Sequence, residues 1–315
     1  MKTAMINKCH VEGYIYEHTL ELKTSGASSK NPGTQYITGE VKVATDDAMT
    51  NVVSVHFSYV TKTTSKGTEN ATYKVLENII NGTSKTVMKD GKDVAAKVRI
   101  DTAIGLNEFF TEKNGKEEFV SAKRNEGGFV HITETLNADE KERNNFECDF
   151  LINGLLKQEA DEEKNLPEKL ILKGAIFDFK KALLPVEFSV LNPRAIEYFE
   201  GLEPSARNPV FTKVRGRQIS ETVVKKIEEE SAFGESYVKT VTNTRKDSII
   251  TWALPEPYVW DDPSTLTVAE LNEAITNREV YLATLKQKNE EYKASKNAPQ
   301  PSAFAAAPAN SAFNF

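Results

Sequence analysis

Two short runs, Lys97-Val98-Arg99 and Lys213-Val214-Arg215-Gly216-Arg217, place basic residues two apart. On a β-strand that spacing puts the cations on one face and the valines on the other. A stripe of cations on a strand can follow a phosphate backbone, and Lys42 and the pair Lys123-Arg124 add to the supply. Tyr14 and Tyr16 share a face by the same spacing, and together with Tyr36 they offer rings on which bases of any identity can stack. A phenol tolerates a wet face better than a phenyl ring, so Phe57, Phe177, Phe179 and Phe188 are expected in the core instead. Each basic pair also has a plainer reading, a solvated strand edge that resists edge-to-edge pairing. Its recurrence at two places favours binding.

Catalytic chemistry has less support. The sequence holds no Cys-x-x-Cys pair, P-loop, Gly-x-Ser-x-Gly elbow or His-Glu-x-x-His, so neither an enzyme nor a cofactor is expected. His10, His18, His56 and His131 lie on separate segments without metal-ligand spacing, and no metal site is expected. Cys9 and Cys148 read as buried thiols of a reducing compartment. The net charge of -6 argues against coating nucleic acid by global attraction but leaves room for a local basic groove. The longest apolar runs are strand-length and the basic N-terminus leads into a strand, so neither a membrane partner nor a signal peptide is expected.

The elements that must carry these residues are written twice. Val11 to Glu17 is echoed by Ile152 to Gln158, with Gly13 aligned on Gly154; Tyr36 to Val43 by Leu170 to Phe177; and Val53 to Ser58 by Leu184 to Ser189. A helical stretch follows each third strand, 71–80 and 194–202, the second announced by Asn192-Pro193, a cap residue before a proline at the first helical position. Then come the two basic strands and a final strand, near Phe129 to Ile132 or Ser248 to Trp252, with Gly127-Gly128 expected to form the hairpin turn before the first of these. Three strands, a helix and two strands is the order of the five-stranded Greek-key OB barrel, which each half resembles. The expected fold is therefore mainly β: two tandem OB-like five-stranded barrels over 1–137 and 145–254, a C-terminal helix over 264–294 and a disordered tail over 295–315. The helix is signalled by the capping box Thr267-Val268-Ala269-Glu270 and by an apolar stripe of Leu271, Ile275, Leu282 and Leu285 expected to dock on the parent domain. The tail is poor in groups that build a core, yet ends on Phe313 and Phe315.

Met5-Ile6-Asn7-Lys8 through Gly13, followed by Gly39-Glu40-Val41-Lys42-Val43-Ala44, resembles the start of bacterial and phage single-stranded-DNA-binding proteins. Over residues 5 to 252 the chain is similar to tandem-OB proteins of that class encoded by bacteriophages and prophages. The resemblance implies a non-enzymatic protein that binds single-stranded DNA with little sequence preference during replication or recombination, in the cytoplasm of a bacterial host. That family usually ends in an acidic tail tipped with Phe. Here Phe313 and Phe315 stand without the acid, and they are the expected docking point for replication or recombination proteins. The competing reading is a phage structural or scaffolding protein whose barrels make protein contacts only.

Overall fold

The computed structural model describes residues 5–27, 29–160, 167–229, 233, 237–262 and 265–297. Phe313, Phe315 and the rest of the tail beyond Asn297, with most of the acidic loop at 161–166, lie outside the described residues.

Strand alternation builds the first circuit. In β1 (Asn7–His18), Val11 and Ile15 are fully buried while Tyr14 and Tyr16 face outward. β1 pairs with β3 (Gln35–Ala44), whose hairpin partner is the short edge strand β2 (Glu21–Thr24), and β3 pairs with β4 (Val52–Thr61). Asn70 caps α1 (Ala71–Ile80) by accepting from the Thr72 N–H at 3.1 Å, so that Tyr73, Leu76 and Ile79 enter the core on one helical face. After α2 (Val87–Asp90), β5 (Lys97–Lys113) returns to β1, β6 (Lys116–Thr133) pairs antiparallel with β5, and β6 closes onto β4 in parallel at Val55 and Asn125.

The second circuit repeats that order. β7 (Asn144–Gln158) pairs with β8 (Lys169–Phe177), and β8 with β9 (Leu183–Val190). Then comes α3 (Pro193–Gly201), whose cap Asn192 accepts from the N–H groups of Arg194 and Ala195 at 3.0 and 3.3 Å. β10 (Val210–Glu229) pairs with β7 and with β11 (Tyr237–Ala253), and β11 closes in parallel onto β9 at Ile249 and Ser189. A closed 1-2-3-5-4 circuit of this kind is the OB topology. β1 also pairs with β7, from Asn7 opposite Cys148 to Val11 opposite Asn144, which joins both circuits into one 11-stranded sheet. Each circuit fills its own core, one around Phe57, Leu76 and Ile100, the other around Phe146, Phe150 and Phe188.

Several sequence expectations are corrected. Gly127 and Gly128 do not form the hairpin turn; they lie within β6, beside the register shift opposite Asp101 to Ala103. The turn is Asn114-Gly115, both with positive φ (54° and 73°), which suits the right-handed twist of the flanking strands. Lys123 and Arg124 therefore sit mid-strand and not in a loop. Phe179, expected in the core, is 90% exposed, because β8 ends at Phe177 and a turn hydrogen-bonded to Asp178 begins. Gly13 and Gly154 are not equivalent: Glu12 lies opposite Arg99 as Glu147 lies opposite Arg215, which sets Glu12 and Glu147 at matching places in the two circuits.

The last helix, α4 (Val268–Asn297), starts at its capping box, where Thr267 Oγ1 accepts from the Glu270 N–H at 3.2 Å and Glu270 accepts from the Thr267 N–H at 3.1 Å. Leu271 and Ala274 pack with Leu266 against Leu151, Phe177 and Phe211 of the second circuit. Ile275, assigned to the docked stripe, faces solvent instead. No described helix is long and apolar enough to cross a membrane.

Candidate nucleic-acid interface

In an OB barrel the outer face of strands two and three, flanked by the loops that follow strands one and four, is where oligonucleotides bind. In the second circuit that face belongs to β8 and β9. Leu170, Leu172, Val186 and Phe188 point into the core, so Lys169, Ile171, Lys173, Pro185, Glu187 and Ser189 point out. These residues floor a cleft of about 1010 Å³. One wall is Gln218 to Ser220 of β10 and Lys246 to Ser248 of β11; the other is the β5–β6 hairpin of the first circuit, with Leu106, Asn107 and Ser121 to Asn125.

The cleft is basic on balance. Lys123, Arg124, Lys169, Lys173 and Lys246 outnumber Glu40, Glu187 and Asp247. Lys169 is committed to Asp247 at 2.7 Å, and Ser189 donates to the same carboxylate at 2.7 Å. Burial would raise Asp247, but those bonds outweigh it and hold its pKa below the usual carboxylate range. Arg124 reaches Glu126 at 2.6 Å, and Lys173 stands 3.9 Å from Glu187. Lys246 has no ion-pair partner among the described residues. The Lys123 Nζ donates to the Glu187 carbonyl at 3.0 Å and lies 4.8 Å from the centroid of the Phe188 ring. Surrounding protein strips water from this amine and lowers its pKa to about 8, although the open cleft still admits solvent to it.

An amide network fixes the two walls relative to each other. Asn125 and Gln218 exchange two hydrogen bonds of 2.7 Å each, and Asn125 also donates to the Ser54 carbonyl at 3.1 Å. Asn51 donates to the Gln218 carbonyl at 3.2 Å and accepts from the Ser220 N–H at 2.6 Å.

The first circuit presents its own strand-two and strand-three face beside this cleft, sharing Glu40 and Ser54 with it. Farther out, Tyr36 and Tyr59 lie 4.4 Å apart between ring centroids, with Tyr59 48% exposed and Lys23 opposite Tyr36 on β2. Lys42 is bound to Glu17 at 2.6 Å. Burial keeps His56, 3.9 Å from Glu40, below its ordinary pKa.

The remaining residues singled out from sequence lie elsewhere, on β1, β5 and β10, the strands at and beside the β1–β7 join. Tyr14 lies under Lys92 and Lys97, at 5.3 and 5.8 Å, and Lys97 donates to the Glu134 carbonyl. Tyr16 sits at the bulge between Ile15 and Glu17. Val98 and Val214 are fully buried, as their spacing requires, which turns Lys97, Arg99, Lys213 and Arg215 outward. Carboxylates stand across the ladder: Arg99 is 3.9 Å from Glu12, and Glu147 is 3.7 Å from Lys213 and 3.0 Å from Arg215. Arg217 follows on the same strand, opposite Ile249. Lys123 and Arg124 are thus the basic residues from sequence that enter the cleft. Lys173, Lys246 and Tyr59 were not among the residues chosen, although Lys169 and Lys173, four apart, share a strand face as the chosen pairs do, and Tyr59 shares one with Phe57.

The family designated YorF matches residues 6–288. The chain belongs to the YorF family. No curated protein matches it. Among solved structures, this YorF-family chain is similar to the wild-type single-stranded DNA binding protein from Thermus aquaticus and to a deletion mutant of that protein. Both have 9% identity and a TM-score of 0.44, with 82% of this chain covered and 95% and 98% of theirs. So loose a likeness leaves the OB assignment resting on strand order.

Proposed function

We propose that this YorF-family protein binds single-stranded DNA with little sequence preference, as a non-enzymatic component of phage DNA replication or recombination in the bacterial cytoplasm. The observation that carries the reading is the cleft, in which the strand-two and strand-three face of one OB circuit, with its Lys173, lies open beside Lys123, Arg124 and Lys246. A strand entering there meets cations for its phosphates and continues, past Glu40 and Ser54, toward the Tyr36 and Tyr59 rings. Residues 1–137 and 145–254 serve as two binding domains, helix 264–294 braces them, and the tail recruits replication or recombination proteins through Phe313 and Phe315.

The outer-surface set of Tyr14, Tyr16, Lys97, Arg99, Lys213, Arg215 and Arg217, with Lys42, forms a second path for the same strand. The carboxylates beside Arg99, Lys213 and Arg215 favour the rival reading for that surface, a structural protein whose barrels contact only protein. A salt titration of oligonucleotide binding separates the readings, since each phosphate engaged adds about 0.7 to the slope of log affinity against log salt for a single strand. Replacing Lys123, Lys173 and Lys246 by Ala should flatten the slope. If only the Lys97, Arg99, Lys213, Arg215 quadruple variant flattens it, the outer surface is the path. A wild-type protein that binds no oligonucleotide overturns the proposal.

A further inference from the structure

The long helix touches both circuits. Its first turns are held by the second circuit, through Leu271 and Ala274 in the cluster with Phe177 and Phe211, and through Glu270, 3.4 Å from Lys181 in the turn between β8 and β9. Downstream it lies along the β5–β6 hairpin of the first circuit. Arg278 makes a two-pronged bond to Glu108, one arm at 2.7 Å, and Asn289 and Lys293 reach Glu117 near the hairpin tip at 2.7 and 2.8 Å. From Arg278 to Lys293 the helix spans about 22 Å at its usual rise, enough to follow the hairpin from the cleft to its turn.

Glu108 joins that helix to the cleft wall. It stands opposite Ser121 in the ladder and accepts the Ser121 hydroxyl at 2.9 Å, while Ser121 itself lines the cleft two residues from Lys123. The Glu108 and Arg278 side chains are 2% and 12% exposed, and the Arg278 Nε is buried without a hydrogen-bond partner. A buried ion pair left partly unsatisfied is a poor source of stability, because desolvation offsets its Coulomb attraction. It does select one geometry, since any other arrangement strands a charge in the interior.

We propose that Arg278, acting through Glu108, is a positioning residue that sets the width of the cleft by fixing the hairpin of one circuit at a set distance from the floor supplied by the other. This rests on the cleft being the DNA path, but its geometry can be read without DNA. Arg278 and Glu108 lie outside the cleft, and Lys123 is the group they place.

Two measurements on the full chain test it. Spin labels at Ala122→Cys and Pro185→Cys, on opposite sides of the cleft, read its width. Cys9 and Cys148 are buried and their thiol pKa values are pushed up, Cys9 to about 12, so they do not compete for label. The distance distribution should be single and narrow with Arg278 present, broad in Arg278→Ala, and partly restored in Arg278→Lys, which keeps the charge but loses the second prong. On the same variants, oligonucleotide affinity should fall in Arg278→Ala with a salt slope smaller by about 0.7 for each phosphate no longer engaged. A folding defect alone would lower the active fraction without moving the slope. An unchanged distance distribution in a folded Arg278→Ala protein overturns the inference. Broadening in a protein that binds no oligonucleotide leaves the strut standing and sinks the DNA reading instead.

Discussion

At the residue scale the cleft turns on one amine. Lys123 is crowded by the Phe188 ring and the Glu187 carbonyl, and its lowered pKa of about 8 makes its charge conditional near neutral pH. The sign follows from linkage. The unfolded chain keeps its proton to a higher pH than the folded one, so the charged amine opposes folding below about 8 and stability rises with pH between there and the ordinary lysine value. A phosphate reverses the preference by favouring the charged form. Oligonucleotide binding should therefore take up protons at pH 8 to 9 and weaken as pH rises through that range. Calorimetry in buffers of different ionisation enthalpy measures the uptake, and Lys123→Arg, with a permanently charged group, should abolish it. The aromatic pair gives a complementary signal: Tyr36→Ala or Tyr59→Ala should each cost about 1 to 3 kcal/mol of binding with the salt slope intact. Lys123 was legible in the sequence as a cation, but its place over the Phe188 ring was not, because the expected turn at Gly127-Gly128 would have left it on a loop.

At the scale of elements, the sequence announced those whose signals are local. Asn192-Pro193 and the Thr267 to Glu270 box start their helices where expected because a cap is completed within three or four residues. Thr267→Ala should cost about 1 kcal/mol of stability in a denaturant titration. The β5–β6 hairpin was misread for a related reason. Two adjacent glycines have the composition of a turn, but Asn114-Gly115 is the stronger two-residue turn signal. Gly127-Gly128 instead meets a long-range demand, since a Cβ on Gly128 would stand 2.0 Å from the Asp101 carbonyl oxygen across the ladder. Replacing Gly115, whose φ is 73°, by Val should destabilise the hairpin by about 1 to 2 kcal/mol. Loss of amide protection should be confined to residues 105–123 and leave the second circuit unaffected. The α4 stripe was half right for the opposite reason: periodicity located the helix, but its partner is a polar hairpin that calls for Arg278 and Lys293 where the pattern offered Ile275.

At the scale of the whole molecule, strand order survived translation from sequence while the join between circuits did not. A repeat read along the chain describes each circuit alone, and nothing in either copy states that β1 pairs with β7 or that Gln218 meets Asn125. The slip of Gly13 onto Gly154 has the same origin, because register is set by cross-strand partners such as Glu12 with Arg99 and Glu147 with Arg215. That join decides whether the protein unfolds as one body. Asn125 and Gln218 satisfy each other in a part-buried site, so removing one partner leaves the other unpaired at a cost of about 1 to 3 kcal/mol. Gln218→Ala should therefore lower stability by that amount, and the double variant with Asn125→Ala should cost less than the sum of the two singles. If the amide clasp couples the circuits, calorimetry should show one transition for the intact protein and two for the double variant. A single transition in both would assign the coupling to the β1–β7 ladder and α4, and the clasp would then serve only to fix the angle at which the cleft walls face each other.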